Sequence, residues 1–141
     1  MSDLVHDLVL DAARRWPEHR ALVFKGASLS YAALADEMAA LARGLVGLGL
    51  ARGERVAVYL DKRIETVVGL FGAALAGGVF VPVNPLLRPP QVGYILRDCA
   101  VRVLITSTQR AADLATELAA CPDLRHVIVV GEVALAAAVS G

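Results

Sequence analysis

The chain has 141 residues and a mass of 14.8 kDa, with 57% hydrophobic and 20% charged residues and a mean hydropathy of +0.59. A chain of that size buries roughly two-thirds of its extended surface on folding, and its apolar content excludes an intrinsically disordered segment. Fourteen basic residues balance fourteen acidic ones with no basic stripe or acidic tail, so nucleic acid is not an expected partner.

Residues 4–16 set Leu4, Leu8 and Ala12 along one helical face with Val5 and Val9 beside it. Trp16-Pro17 ends that helix, because the residue before proline is pushed out of the α region. Two short extended runs, Ala21–Phe24 and Ala27–Ser30, flank Lys25-Gly26 as a hairpin. Ser30 then caps a helix from Tyr31 to about Leu48, whose apolar stripe is Leu34, Met38, Leu41, Leu45 and Leu48. Gly49 stops it. Arg55–Leu60 is apolar on both faces, as an interior parallel strand requires. Residues 63–76 predict a helix apolar nearly all round, with Gly69, Gly72, Ala73 and Ala76 forming a small-residue face that lies close against a sheet. Val79–Val83 is the next strand, and Pro82, lacking one ladder donor, places it near an edge. Pro89-Pro90 opens a helix to about Cys99. A strand over Arg102–Thr106, a helix over 109–120 and a strand over His126–Val130 follow. Glu132–Val139 is again helix-compatible.

Helices and strands alternating with short connections predict an α/β fold, a layered and mostly parallel sheet with flanking helices. A helix-compatible run directly after the last strand reads as part of a larger protein. The stretch from Thr66 to Leu87 carries no charge and is long enough to span a bilayer, but Gly77-Gly78, Pro82, Asn84 and Pro85 divide it into a helix and a strand. No transmembrane segment is expected. Met1-Ser2-Asp3 has an acid where a secretory signal needs bases. Cys99 and Cys121 are far apart and form no CxxC pair, so a disulfide framework or zinc site is not predicted and the cytoplasm is the expected location.

Neither GxxxxGK[ST] nor a GxGxxG following a strand is present, and Gly44, Gly47, Gly49 and Gly53 are explained by capping and turns. His126 leads a buried strand, while His6 and His19 lie in a surface-like N-terminal segment, and none has a serine or cysteine partner at a telling spacing. Cys99 and Cys121 read as packing thiols. Asp61-Lys62-Arg63 with Glu65 forms a charge cluster in which Asp61 caps a helix and Arg63 or Lys62 meets a carboxylate. The position with most chemical promise is the row of strand carboxyl ends, which carries Asp61, Asn84 and Thr106-Ser107, with Arg110 one turn into the next helix. A helix start beside an arginine suits an anion. No catalytic residue and no metal-ligand set emerges.

In this order the segments resemble a known family. Leu29-Ser30-Tyr31-Ala32-Ala33-Leu34 resembles the early L-[ST]-Y-x-x-L block of adenylate-forming enzymes, which include acyl-CoA synthetases, luciferases and peptide-synthetase adenylation domains. Gly49–Leu60 (GLARGERVAVYL) is similar to the strand entry that follows, Ala74–Pro85 (ALAGGVFVPVNP) to the lkAGaxyvPldP block, and Arg102–Thr106 (RVLIT) to the next strand. The series covers about residues 4–131. Within the superfamily, KRIETVVGLFGA and GGVFVPVNPLL resemble AMP-forming acyl-CoA ligases of the exosortase-associated kind. The resemblance implies that residues 1–141 are an incomplete N-terminal portion of an AMP-binding synthetase domain, the N-terminal subdomain of the adenylate-forming fold. It implies a parent that uses ATP, Mg2+ and CoA on a small carboxylic or fatty acid. The family's phosphate loop, magnesium-binding block and catalytic lysine match nothing here, and neither Lys25 nor Lys62 corresponds to that lysine. The fragment alone is therefore expected to be inactive. Arg110 lies where some acetyl-CoA synthetases place arginines against the CoA nucleotide, so it is the one implied cofactor contact. A peptide-synthetase adenylation fragment and a non-catalytic α/β interaction module are the alternatives.

Overall fold

The computed structural model describes residues 5–130 and the backbone of residues 135–140. Helix α1 (Val5–Arg15) turns inward a different face from the one its apolar spacing predicts. His6 and Val9 are buried, whereas Leu8 is 64% exposed. Leu4, the start of the expected stripe, lies outside the described residues. His6 is thus an interior histidine, not the surface residue its segment suggested. The hairpin β1 (Arg20–Phe24) and β2 (Ala27–Ser30) turns at Lys25 and Gly26, with φ of 49° and 81°. Paired left-handed residues match the right-handed twist of a two-residue hairpin.

Helix α2 (Tyr31–Gly47) begins where predicted, with Ser30 Oγ accepting the Ala33 N–H at 3.1 Å. Leu34, Met38, Leu41 and Leu45 are buried, and Leu48 is half-buried at the C-cap. Strand β3 (Arg55–Tyr59), helix α3 (Ile64–Leu75), strand β4 (Val79–Pro82), helix α4 (Pro89–Asp98) and strand β5 (Val101–Ser107) follow. The helix expected over 109–120 is two short ones, α5 (Thr108–Asp113) and α6 (Ala115–Ala119), divided at the fully buried Leu114. Strand β6 (His126–Val130) comes next.

The sheet order is β4-β3-β5-β6-β7, with the first four strands parallel. Strand β7 (Leu135–Ser140) pairs antiparallel with β6 through Val127–Val139 and Ile128–Ala138. The expected helix over 132–139 is therefore replaced by a strand across 135–140, and residues 132–134 lie outside the described part. Alanine is a strong helix former, but helix propensity yields to tertiary context, and β6 offers a row of backbone donors and acceptors that a strand satisfies.

Side-chain alternation sorts the core into two layers. Val56, Val58, Val103, Ile105 and Ile128 meet α1, α2 and α3 on one face. Ala57, Tyr59, Leu104 and Val127 meet α4, α5 and α6 on the other. That is why β3 is apolar on both sides. The small face of α3 seats it against two neighbours. A Cβ on Gly69 would lie 3.2 Å from Val58, and one on Gly72 only 2.7 Å from Leu41 of α2. The chain runs from β3 outward to β4, then returns past β3 to β5 and β6, so the strand order reverses between β3 and β5.

Candidate functional site at the strand-order reversal

Where the order of parallel strands reverses, successive crossovers depart to opposite faces and leave a crevice beyond the carboxyl ends. Here α3 leaves β3 for one face and α5 leaves β5 for the other. Asp61 follows β3 and Arg110 follows β5. They meet across the crevice, with Arg110 Nη2 donating to Asp61 Oδ1 at 2.5 Å. Arg110 Nη1 donates to the Pro85 carbonyl at 3.2 Å, and its guanidinium lies 4.3 Å over the Tyr59 ring. A planar cation on an aromatic face is held by the ring's negative surface as well as by its own hydrogen bonds.

Tyr59 ties the same loop a second time. Its hydroxyl donates to the Leu87 carbonyl at 2.6 Å, so donors from β3 and α5 grip residues 85 and 87 on either side of Leu86. Asn84 Oδ1 accepts the Leu86 N–H at 2.9 Å. Leu86 itself is 87% exposed on this braced loop. The remaining strand-end candidates serve the scaffold. Thr106 is buried and donates to the Tyr59 carbonyl, and Ser107 Oγ accepts the Arg110 N–H as the cap of α5.

Asp61 does not cap α3, contrary to the sequence reading. Arg63 is the N-cap residue, with no side-chain cap, and the Asp61 carbonyl accepts from Thr66 Oγ1 instead. Arg63 does meet a carboxylate, pairing with Glu65 at 3.0 Å. Burial disfavours ionisation of Glu65, but hydrogen bonds from Arg63 and from its own backbone, with the Arg63 charge, outweigh it and hold the carboxyl below its usual value. Lys62 lines two cavities that flank the β3 end. One of about 410 Å³ is walled by Val58, Leu60, Leu70 and Pro82, and one of about 350 Å³ by Phe24, Asp61 and Ile64. Lys62 has no ion pair or hydrogen bond among the described residues.

The other candidates do not join this site. Cys121 is buried, which pushes its thiol up, and Cys99 is half-buried. His6 Nδ1 is buried without a partner, far along the chain from the crevice. Sequence reading missed Tyr59, taken only as a strand residue. The available signal was a phenol closing the apolar run Val56-Ala57-Val58, since a buried tyrosine hydroxyl needs a partner.

The AMP-binding enzyme family model matches residues 9–139, and the chain belongs to this family of adenylate-forming enzymes. It is 36% identical over 101 residues to surfactin synthase subunit 2 of Bacillus subtilis (strain 168), covering 72% of this chain and 3% of that one. It is 36% identical over 102 residues to the long-chain-fatty-acid–CoA ligase of the same organism, covering 72% and 18%. The crystal structure of the anthranilate CoA ligase AuaEII in complex with anthranoyl-AMP superposes with a TM-score of 0.86 at 29% identity, over 92% of this chain and 25% of that one. The chain thus spans a small part of the length of these relatives. Its fold is that of the N-terminal subdomain of adenylate-forming ligases.

Enzymes of this family use ATP and Mg2+ on small carboxylic acids. The residues present do not fit those groups. Among the described residues no three His, Cys, Asp or Glu side chains converge, and no strand-to-helix turn offers a glycine-rich amide cradle. No step through ATP or Mg2+ is derived from this chain. No helix of the described residues is long and apolar enough to cross a membrane.

Proposed function

We propose that residues 1–141 are the N-terminal portion of an AMP-forming acyl-CoA ligase, resembling the exosortase-associated kind. In that reaction a carboxylate oxygen attacks the α-phosphorus of ATP, pyrophosphate leaves, and the CoA thiol then displaces AMP from the acyl-adenylate. The likeness to the anthranilate CoA ligase over 92% of this chain carries the reading. This portion supplies scaffold and one wall of the CoA approach, and a cytoplasmic location follows from the ATP and CoA it would use. Arg110 is the proposed contact for the CoA nucleotide, since its guanidinium sits at the strand-order reversal on a fixed platform. The 36% identity to surfactin synthase subunit 2 favours a second reading, an adenylation domain that delivers its acyl group to a carrier-protein thiol.

The two readings separate in one assay. The longest open reading frame containing this sequence is expressed and given ATP, Mg2+ and a panel of carboxylic acids, followed by CoA or a pantetheinylated carrier protein. Carboxylate-dependent pyrophosphate exchange with acyl-CoA formation is the expected result. Exchange restricted to amino acids, with transfer only to the carrier, would establish the second reading. The 141-residue chain alone is expected to give no exchange above a protein-free control.

A further inference from the structure

The two halves of the Arg110 guanidinium are held in different ways. Nη1 is tied to a backbone carbonyl and the plane rests on Tyr59, so this half belongs to the scaffold. Nη2 is tied to the carboxylate of Asp61 alone, and that carboxylate is 78% exposed while the arginine is 19% exposed. A surface carboxylate contributes little to stability through such a pair, because water competes for both partners. What it does is occupy the Nη2 donor of a cation whose position is already held by other contacts.

We propose that Asp61 is a resident counter-ion, exchanged for a phosphate group of a nucleotide ligand at the β3–β5 crevice. The proposal rests on the reading of Arg110 as a nucleotide contact and adds Asp61 as the residue that sets its affinity. Three observations converge on it. The pair sits at the strand-order reversal, where parallel sheets gather ligands. Arg110 keeps its carbonyl and aromatic supports when Asp61 leaves, so the donor is presented without reordering a side chain. Lys62, next to Asp61 and without a partner of its own among the described residues, offers a second cation on the same loop. A phosphate dianion outcompetes a single carboxylate for Nη2, and Asp61 meanwhile repels it, which makes the site weaker and more selective for multiply charged ligands.

The test is titration calorimetry of the longest open reading frame containing this sequence with adenosine 3′,5′-bisphosphate, repeated with adenosine, which lacks phosphate. Asp61→Asn removes the competing charge at an exposed position and keeps the side chain's size. It is expected to bind the bisphosphate about tenfold more tightly than the natural chain, the effect of about one charge-assisted hydrogen bond. Adenosine should gain nothing. Arg110→Lys, which keeps the charge and loses the planar guanidinium held by Tyr59 and the Pro85 carbonyl, should lose binding in both the natural and Asp61→Asn backgrounds. If Arg110→Lys loses binding but Asp61→Asn binds as the natural chain does, Arg110 stands as the contact and the counter-ion role of Asp61 falls. If Arg110→Lys binds like its parent, or no variant binds at all, both fall. Thermal melts of each variant confirm that folded protein is being compared.

Discussion

At the scale of single residues, packing distances and charge pairs give outcomes of opposite sign that simple measurements separate. Gly72 has no room for a methyl group, with Leu41 atoms at 2.7 and 3.1 Å from its would-be Cβ, whereas Gly44 sits in exposed helix with nothing within 4 Å. Gly72→Ala should lower stability by about 1–3 kcal/mol through overpacking. Gly44→Ala should raise it by about 0.5–1 kcal/mol through helix propensity. Urea midpoints of the two variants check both signs. Glu65 supplies a pH effect. Its carboxyl is held below the usual value in the folded chain, so its contribution is present above the unfolded pKa and fades as pH falls through the lower folded one. Water reaches the pair, so the contribution is below about 1 kcal/mol. Glu65→Gln should therefore cost stability at pH 7, and the cost should shrink as pH falls below the ordinary carboxyl range. Of the site, Asp61 and Arg110 were readable as residues beyond strand ends, because topology alone places them. Tyr59 and the Pro85 and Leu87 carbonyls were not, since they depend on how the loop folds back over β3.

At the scale of elements, legibility followed how far each one's conformation is decided within itself. Helix α2 carries its own cap, its own stripe and its own stop, and the structure reproduces all three. Leu41→Asp should therefore place a carboxylate in the interior and cost on the order of 3–5 kcal/mol, visible as a large fall in the thermal midpoint. An unchanged midpoint would mean that the stripe faces water. Helix α1 has apolar residues on more than one side, and which side is buried is settled by its seat on α2 and α3. The run at 135–140 turns on a neighbour to an even greater extent, because the free edge of β6 converts alanine-rich sequence into strand. Helices α5 and α6 divide where Leu114 is drawn into the core between β5 and β6 packing, a long-range demand that periodicity does not carry.

At the scale of the whole molecule, one border of the described sheet stays open. Strand β4 pairs with β3 on one side and with none of the described strands on the other, its sequence Val79-Phe80-Val81-Pro82 carries no charge, and Val79 and Leu86 are well exposed. Pro82 removes one edge donor but leaves an apolar border with a net molecular charge of zero behind it. At pH 7 the 141-residue chain is expected to bind a hydrophobic dye and to elute as an oligomer in size-exclusion chromatography. A sharp monomer peak without dye binding would show that these residues close their own core, and would favour a self-standing module.

The placement of β3 also bears on the order in which the chain can fold. Arg55 pairs with Val79 on one side and with Val101 on the other, so the central strand acquires its second neighbour only after helix α4 has been made and crossed over. Until then an apolar ribbon stands with one flank open. Closing such distant parallel pairings is intrinsically slow, with refolding on the millisecond-to-second scale. On a ribosome adding about 5–20 residues each second, the interval between emergence of β3 and of β5 lasts seconds. For that span the nascent chain carries β3 with one flank open, a template on which another chain can pair.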